Sequence, residues 1–297
     1  MRWEDFRTSD NVEDRRGEGG GGGFGFPGGG AGGLGIGTIV ILCIIGWVTG
    51  INPAILIGGA ETVTRQRAPQ EQGQQPDRRT GAPSDQTGKF AAAILGNTED
   101  VWKEVLPNQT GRQYTPTTMV LYTGGTRSGC GQARAAMGPF YCPLDKKVYL
   151  DTSFFKEMEQ KFRVKGDFAY AYVIAHEVGH HVQDVLGILG KVQARQQQAS
   201  SKTEANALSV RIELMADCLA GVWAKNSNDK YAELDKGDID EALNAAAQIG
   251  DDALQQRSRG YVVPDSFTHG SSAQRVEWLQ RGYQSGDPAS CDTFSGA

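Results

Sequence analysis

Between residues 167 and 189, the apolar positions Ala171, Ile174, Val178, Val182, Val185 and Leu189 recur at spacings of three and four. That period puts them on one face of an α-helix, predicted over 167–187. Leu208, Ile212, Met215, Leu219 and Val222 repeat the pattern and predict a second long helix over 203–225. Shorter helical patterns cover 89–104, 152–162, 237–256 and 271–284. "TTMVLYT" and "KKVYLD" are rich in β-branched and aromatic residues and read as strands. Strands first and helices later predict an α+β domain.

The first 88 residues follow a different pattern. Residues 1–18 are charged and polar, and residues 19–35 are almost all glycine, with Phe24, Phe26 and Pro27 among the few exceptions. Such a composition buries no core, so 1–35 is expected to be a flexible N-terminal segment. Residues 36–57, "IGTIVILCIIGWVTGINPAILI", carry no charge. As a helix they would span about 33 Å, against about 30 Å for a bilayer core. A transmembrane helix is expected there, with the lipid bilayer as partner. The small residues ending at Ala60 would suit a cleavable signal peptide, but the run is too long and starts too late, with no basic segment directly before it. Residues 58–88, rich in Gln, Pro and Arg, read as a linker, which leaves 89–297 as the folded domain.

Composition narrows the chemistry. The chain has 297 residues and a net charge of −5. It shows no basic patch interleaved with aromatics, so no nucleic-acid partner is expected. Outside the apolar run, Cys130, Cys142, Cys218 and Cys291 form an even set with no CxxC pair. That spacing disfavours a cysteine metal site and favours two disulfides in an oxidising compartment over four buried thiols.

Three of the four histidines fall within "HEVGHH", on the first long helix. His176 and His180 are four apart and share a face one turn from each other. Two imidazoles so placed can both reach a Zn²⁺ at about 2.0–2.1 Å. Glu177, beside the first, can act as catalytic base on a water at the metal. His181 points about 100° away from His180 and reads as a packing or surface residue. The bland alternative is a buried helix with core histidines.

A catalytic zinc site takes three protein ligands and leaves one position open. A third histidine six residues beyond the motif is absent, because Leu186 stands there, and Gln183 stands where a glycine would accompany it. The second long helix offers Glu213 as the third ligand. Asp217, four residues on, is expected to accept a hydrogen bond from a ligating histidine. Ala216, Ala220 and Gly221 are small enough to let the two helices approach closely.

These motifs resemble the neutral zinc metallopeptidase family of bacterial membrane proteins. The resemblance is carried by "MRWEDFRTSDNVEDRRG", the Gly-rich stretch, "SGCGQARAAMGPFYCPLDKKVYLD", "AHEVGHHVQD", "RIELMADCLAGVWA" and "THGSSAQRVEWLQRGY". It implies a zincin-type domain behind a single-pass anchor in the inner membrane, with the domain on the extracytoplasmic (periplasmic) side. It also implies one zinc ion held by His176, His180 and Glu213, with Glu177 catalytic. "THGSSAQRVEWL" is similar in layout to the closing motif of membrane-bound zinc proteases of the heat-shock and prenyl-protein-processing types. Those usually have proline where this chain has Gly270. His269 is read as a second catalytic residue that stabilises the oxyanion, and Arg275 as the structural partner of a carboxylate.

Arg65 and Arg67 follow the apolar run closely and would place the domain in the cytoplasm, against the cysteines. The cysteines are given more weight. Four cysteines allow three pairings; the expected ones are Cys130–Cys142 and Cys218–Cys291. The leading expectation is a membrane-anchored zinc endopeptidase whose protein or peptide substrate adds along a sheet edge, with "KVYLD" as the candidate strand. The rivals are a non-catalytic zinc-containing surface module and a zinc hydrolase of a non-peptide amide.

Overall fold

The computed structural model describes residues 1–17, 79–80 and 83–295. The apolar run 36–57 lies outside them. Among the described residues, no helix is long and apolar enough to cross a membrane.

The chain forms an α+β fold. Seven strands are described: β1 (Val12–Asp14), β2 (Arg79–Thr80), β3 (Thr118–Tyr122), β4 (Gly125–Ser128), β5 (Gly131–Arg134), β6 (Phe140–Cys142) and β7 (Lys147–Asp151). Five of them make one sheet in the order β2-β1-β3-β7-β6. β1, β3 and β7 are mutually parallel, and the two edge strands run antiparallel to them. Alternation sorts the sheet's side chains between two cores. Met119, Leu121, Val148 and Leu150 face the helices, while Val120, Tyr122 and Tyr149 face a smaller cluster with Ala133 and Cys142. That second face is covered by the β4–β5 hairpin, tied to edge strand β6 by the Cys130–Cys142 disulfide.

The helices are α1 (Gln86–Thr110), α2 (Phe154–Phe162), α3 (Asp167–Val185), α4 (Ile188–Gln197), α5 (Lys202–Tyr231), α6 (Asp238–Gln248), α7 (Asp251–Arg259) and α8 (Ser272–Ser285). α3 packs against α1, α5 and α6, and α8 lies along α5. Gly179 lets α3 and α5 approach: a Cβ there would sit 3.1 Å from the Ala216 carbonyl oxygen. Ala216 therefore plays its expected part. Gly221 instead makes room for α8, because a Cβ on it would overlap the backbone of Leu279 and Tyr283. The Cys218–Cys291 disulfide ties the C-terminal tail to α5.

Several boundaries differ from expectation. α1 begins at Gln86, where Asp85 caps it by accepting from the Gly88 amide, so the linker ends before residue 88. It runs on through Pro107 to a left-handed Gly111. Helix 237–256 is two helices, broken at Ile249–Gly250, where the chain turns extended and a Cβ at 250 would overlap Ser272. A further helix, α4, follows α3 after the left-handed Gly187.

The largest correction concerns residues 1–17, which are packed and not flexible. β1 lies inside the sheet, between β2 and β3. Trp3 is buried against Phe90, with ring centroids 5.3 Å apart. Its indole donates to Asp167 at the start of α3. Glu99 of α1 is buried, and its carboxylate accepts from Arg7, Ser9 and Asn11 at 2.8, 2.6 and 2.7 Å. Composition hid this, because ion pairs and backbone pairing hold the segment more than apolar burial does.

Candidate metal centre

α3 presents His176 and His180 towards Glu213 of α5. The Glu213 carboxylate lies 3.1 Å from His176 Nε2 and 3.6 Å from His180 Nε2. All three ligand atoms fall within 4.8 Å of one another. A tetrahedral zinc with bonds of about 2.0–2.1 Å sets its ligand atoms about 3.3 Å apart, so these residues fit the ion.

Each histidine has its other nitrogen occupied. His176 Nδ1 lies 2.8 Å from Asp217 Oδ1, and His180 Nδ1 lies 3.0 Å from Gln183 Oε1. Both contacts hold the proton on Nδ1 and aim the Nε2 lone pair inward. Asp217 is fully buried and also accepts from Tyr172 at 2.6 Å and from Arg275 Nε and Nη2, each at 2.9 Å. Burial would raise its pKa, but the charges of Arg275 and His176 win and hold it at about 2. Arg275 thus pairs with a carboxylate, as expected. Gln183 is fully buried too, and its Nε2 donates to the Ile212 carbonyl at 2.7 Å, fixing α3 to the helix that carries Glu213.

The charge of the cluster is set for a cation. Burial opposes a charge on His176, yet Asp217 and Glu213 raise its pKa to about 10. Burial likewise opposes ionisation of Glu213, but the charges of His180 and His269 outweigh it and hold its pKa well below the usual range. A metal ion would take the place of the proton these carboxylates now attract.

Glu177 is buried beside the pair, and burial raises its pKa. The Tyr141 hydroxyl of β6 hydrogen-bonds to His181 and Asp184 of the same helix, so the edge strand passes along α3. β7, the "KVYLD" strand, is interior, paired with β3 on one side and β6 on the other. An added strand therefore cannot use β7, and the edge nearest the site is β6.

His269 sits on the loop before α8. Asp251 accepts the backbone N–H groups of Thr268 and His269, each at 2.7 Å, and of Gly270 at 3.2 Å. Its other oxygen lies 3.2 Å from His269 Nδ1, and Nε2 has no hydrogen-bond partner among the described residues. Gly270 packs on Leu214 and Val210 of α5, beside Glu213. Its φ of 96° belongs to glycine, whereas proline is held near −65°, which explains the residue type found here.

His181 is buried and takes no part in the cluster. Its Nε2 lies 2.6 Å from the Thr115 carbonyl, and its Nδ1 lies 3.1 Å from the Tyr141 hydroxyl. It fixes the approach to β3 and the edge strand β6. Sequence reading missed Gln183, Asp251 and Tyr172. Gln183 carried a usable signal, since it stands three residues after His180 on the same helical face.

Known proteins resemble this chain over most of its length. The chain is 50% identical over 296 residues to "Uncharacterized protein YpfJ" of Escherichia coli (strain K12), covering 99% of each. It is 45% identical over 230 residues to "Uncharacterized protein Rv2575" of Mycobacterium tuberculosis (strain ATCC 25618 / H37Rv), covering 74% of this chain and 75% of that one. No solved structure matches it significantly. Residues 1–294 match the family model described as "Putative neutral zinc metallopeptidase", and the chain belongs to that family.

Proposed function

We propose that this protein is a membrane-associated zinc endopeptidase with a zincin-like site, holding one zinc ion on His176, His180 and Glu213. The observation that carries the reading is the convergence of two Nε2 atoms and a carboxylate, with both Nδ1 atoms already held by Asp217 and Gln183. The family's description implies zinc and a peptidase. Zinc supplies Lewis acidity at such a site, polarising a carbonyl and acidifying water.

The residues of this chain do the rest. Glu177 takes a proton from the attacking water as its oxygen bonds to the peptide carbonyl carbon. It then delivers that proton to the leaving amine nitrogen as the C–N bond breaks. His269, oriented through Nδ1 by Asp251, offers Nε2 to the developing oxyanion. An extended peptide would pair with β6, whose outer edge is unpaired among the described strands and whose Tyr141 hydroxyl is held by the helix that carries Glu177. Two disulfides favour the oxidising, extracytoplasmic (periplasmic) side of the inner membrane, and the apolar run 36–57 would engage the bilayer.

The test compares Glu177→Gln with the parent on a peptide library, using the full chain loaded with zinc. Loss of the general base costs about 10²–10⁴-fold in turnover, with zinc content unchanged. Equal turnover would overturn the mechanism.

A further inference from the structure

The first strand and the last four strands of the main sheet lie on opposite sides of the run Ile36–Ile57 in sequence, yet they share one sheet. β1 pairs in parallel with β3 through Val12–Met119, Glu13–Val120 and Asp14–Leu121. On its other edge it pairs with β2 through Glu13–Thr80 and Asp14–Arg79. Gly17 and Arg79, the described residues that flank 18–78, therefore both lie at the β1–β2 corner of one sheet.

Independent contacts along the whole segment support the pairing. The Met1 ammonium lies 3.0 Å from Asp238 at the start of α6. The Ser9 amide donates to the Ala92 carbonyl of α1 at 2.9 Å. Gly96 is the residue over which this crossing runs, and a Cβ there would overlap the Arg7 carbonyl. The Arg15 amide donates to the Leu121 carbonyl, and its guanidinium to the Arg127 carbonyl. Arg16 joins Asp14 to Asp85, the cap of α1. These contacts join residues 1–17 to α1, β3, the β4–β5 hairpin and α6, so the segment belongs to the domain.

A single membrane crossing would put residues 1–17 and 83–295 on opposite faces of the bilayer and would abolish all of these contacts. We propose that the two flanks lie in one compartment, on the same side of any membrane the chain meets, so that the run Ile36–Ile57 does not separate them by a single crossing. Twenty-two residues suffice for one crossing of the bilayer core, not two. This replaces the single-pass anchor expected from hydropathy. The inference is independent of the peptidase reading.

The test introduces single cysteines at exposed positions of the full chain, Thr8→Cys or Gln280→Cys, with Cys43→Ser in both. Each variant is treated with a membrane-impermeant maleimide in intact cells, after outer-membrane permeabilisation and after complete lysis; labelling in detergent and denaturant defines the full signal. Both sites are expected to become reactive at the same step, whichever step that is. Reaction of one site before the inner membrane is opened and of the other only afterwards would overturn the proposal. Asp10→Cys and Lys202→Cys repeat the comparison should either first variant fold poorly.

Discussion

The helix pair α3–α5 and the N-terminal segment 1–17 are fixed by opposite means. On the helices, neighbours one turn apart carry the chemistry. His176 and His180 share a face, Gly179 between them lets α5 approach, and Glu213 and Asp217 repeat the four-residue step. In the N-terminal segment nearly every fixing contact is remote in sequence. Glu99, Asp167, Leu121 and Asp238 hold residues about 90 to 240 positions away. The first region concentrates buried charge that a metal would neutralise. The second disperses small ion pairs and backbone bonds along a strand that would otherwise have no reason to stay.

Removing residues 1–17 should break this comparison most severely. It strips β1 from inside the sheet and uncovers Phe90 and Glu99. Domains are stable by about 5–15 kcal/mol in total, and this loss should consume most of it. The truncated chain is expected to show no cooperative thermal unfolding by circular dichroism. A transition matching the parent's would show that the segment is an accessory. A fragment beginning at Lys89 lacks the same contacts and should fail likewise.

Asp217→Ala should be next. It leaves the Arg275 guanidinium buried beside Tyr172 without its carboxylate. Breaking a buried pair in this way costs about 3–5 kcal/mol, read as a lower urea midpoint. Asp217→Asn keeps the volume and should restore part of the stability while leaving zinc binding weakened.

Gln183→Ala is expected to act mainly on the metal. It frees His180 Nδ1 and the Ile212 carbonyl. Loss of such an outer partner weakens metal binding about 10–100-fold, measurable by competition with a zinc chelator. Unchanged affinity would show that Gln183 only fastens α3 to α5.

The smallest effect is the pH response of the N-terminal clasp. Burial tends to lower the pKa of the Met1 ammonium, but the hydrogen bond and charge of Asp238 reverse this and raise it above the ordinary value of about 8. A raised cationic group contributes its full stability below the unfolded value and loses it as pH climbs through the folded one. At the acid end, Arg16 holds the Asp85 carboxyl down to about 2. That contribution is present above about pH 4 and is lost as pH falls through about 2. Exchange of the Arg2 amide, which donates to the Glu233 carbonyl, should therefore accelerate above about pH 8, and acetylating the N-terminus should abolish that step. A pH-independent pattern after correction for intrinsic exchange would remove Met1 from the account.

The same contrast explains what could be read from the sequence. The site helices were legible because a 3.6-residue period and an i,i+4 pair are local signals, and they brought His176, His180, Glu213 and Asp217 to attention together. Both disulfides were legible as an even set outside the apolar run. β1 was not, because "VED" has one apolar residue, too few for any period, and a glycine tract follows it. Asp251 was hidden because its role lies in which atoms it reaches, on a loop remote in sequence. The interior position of "KVYLD" was hidden because the three-residue β6, a short edge partner, leaves almost no pattern.

The central claim is that His176, His180 and Glu213 together hold one zinc ion. Elemental analysis of the full chain, purified without chelators and dialysed, tests it most directly. One zinc per folded chain is predicted, falling to a small fraction in a Glu213→Ala variant that keeps the parent's circular dichroism. A folded parent that binds no zinc, or a Glu213→Ala variant that retains it fully, would contradict the account.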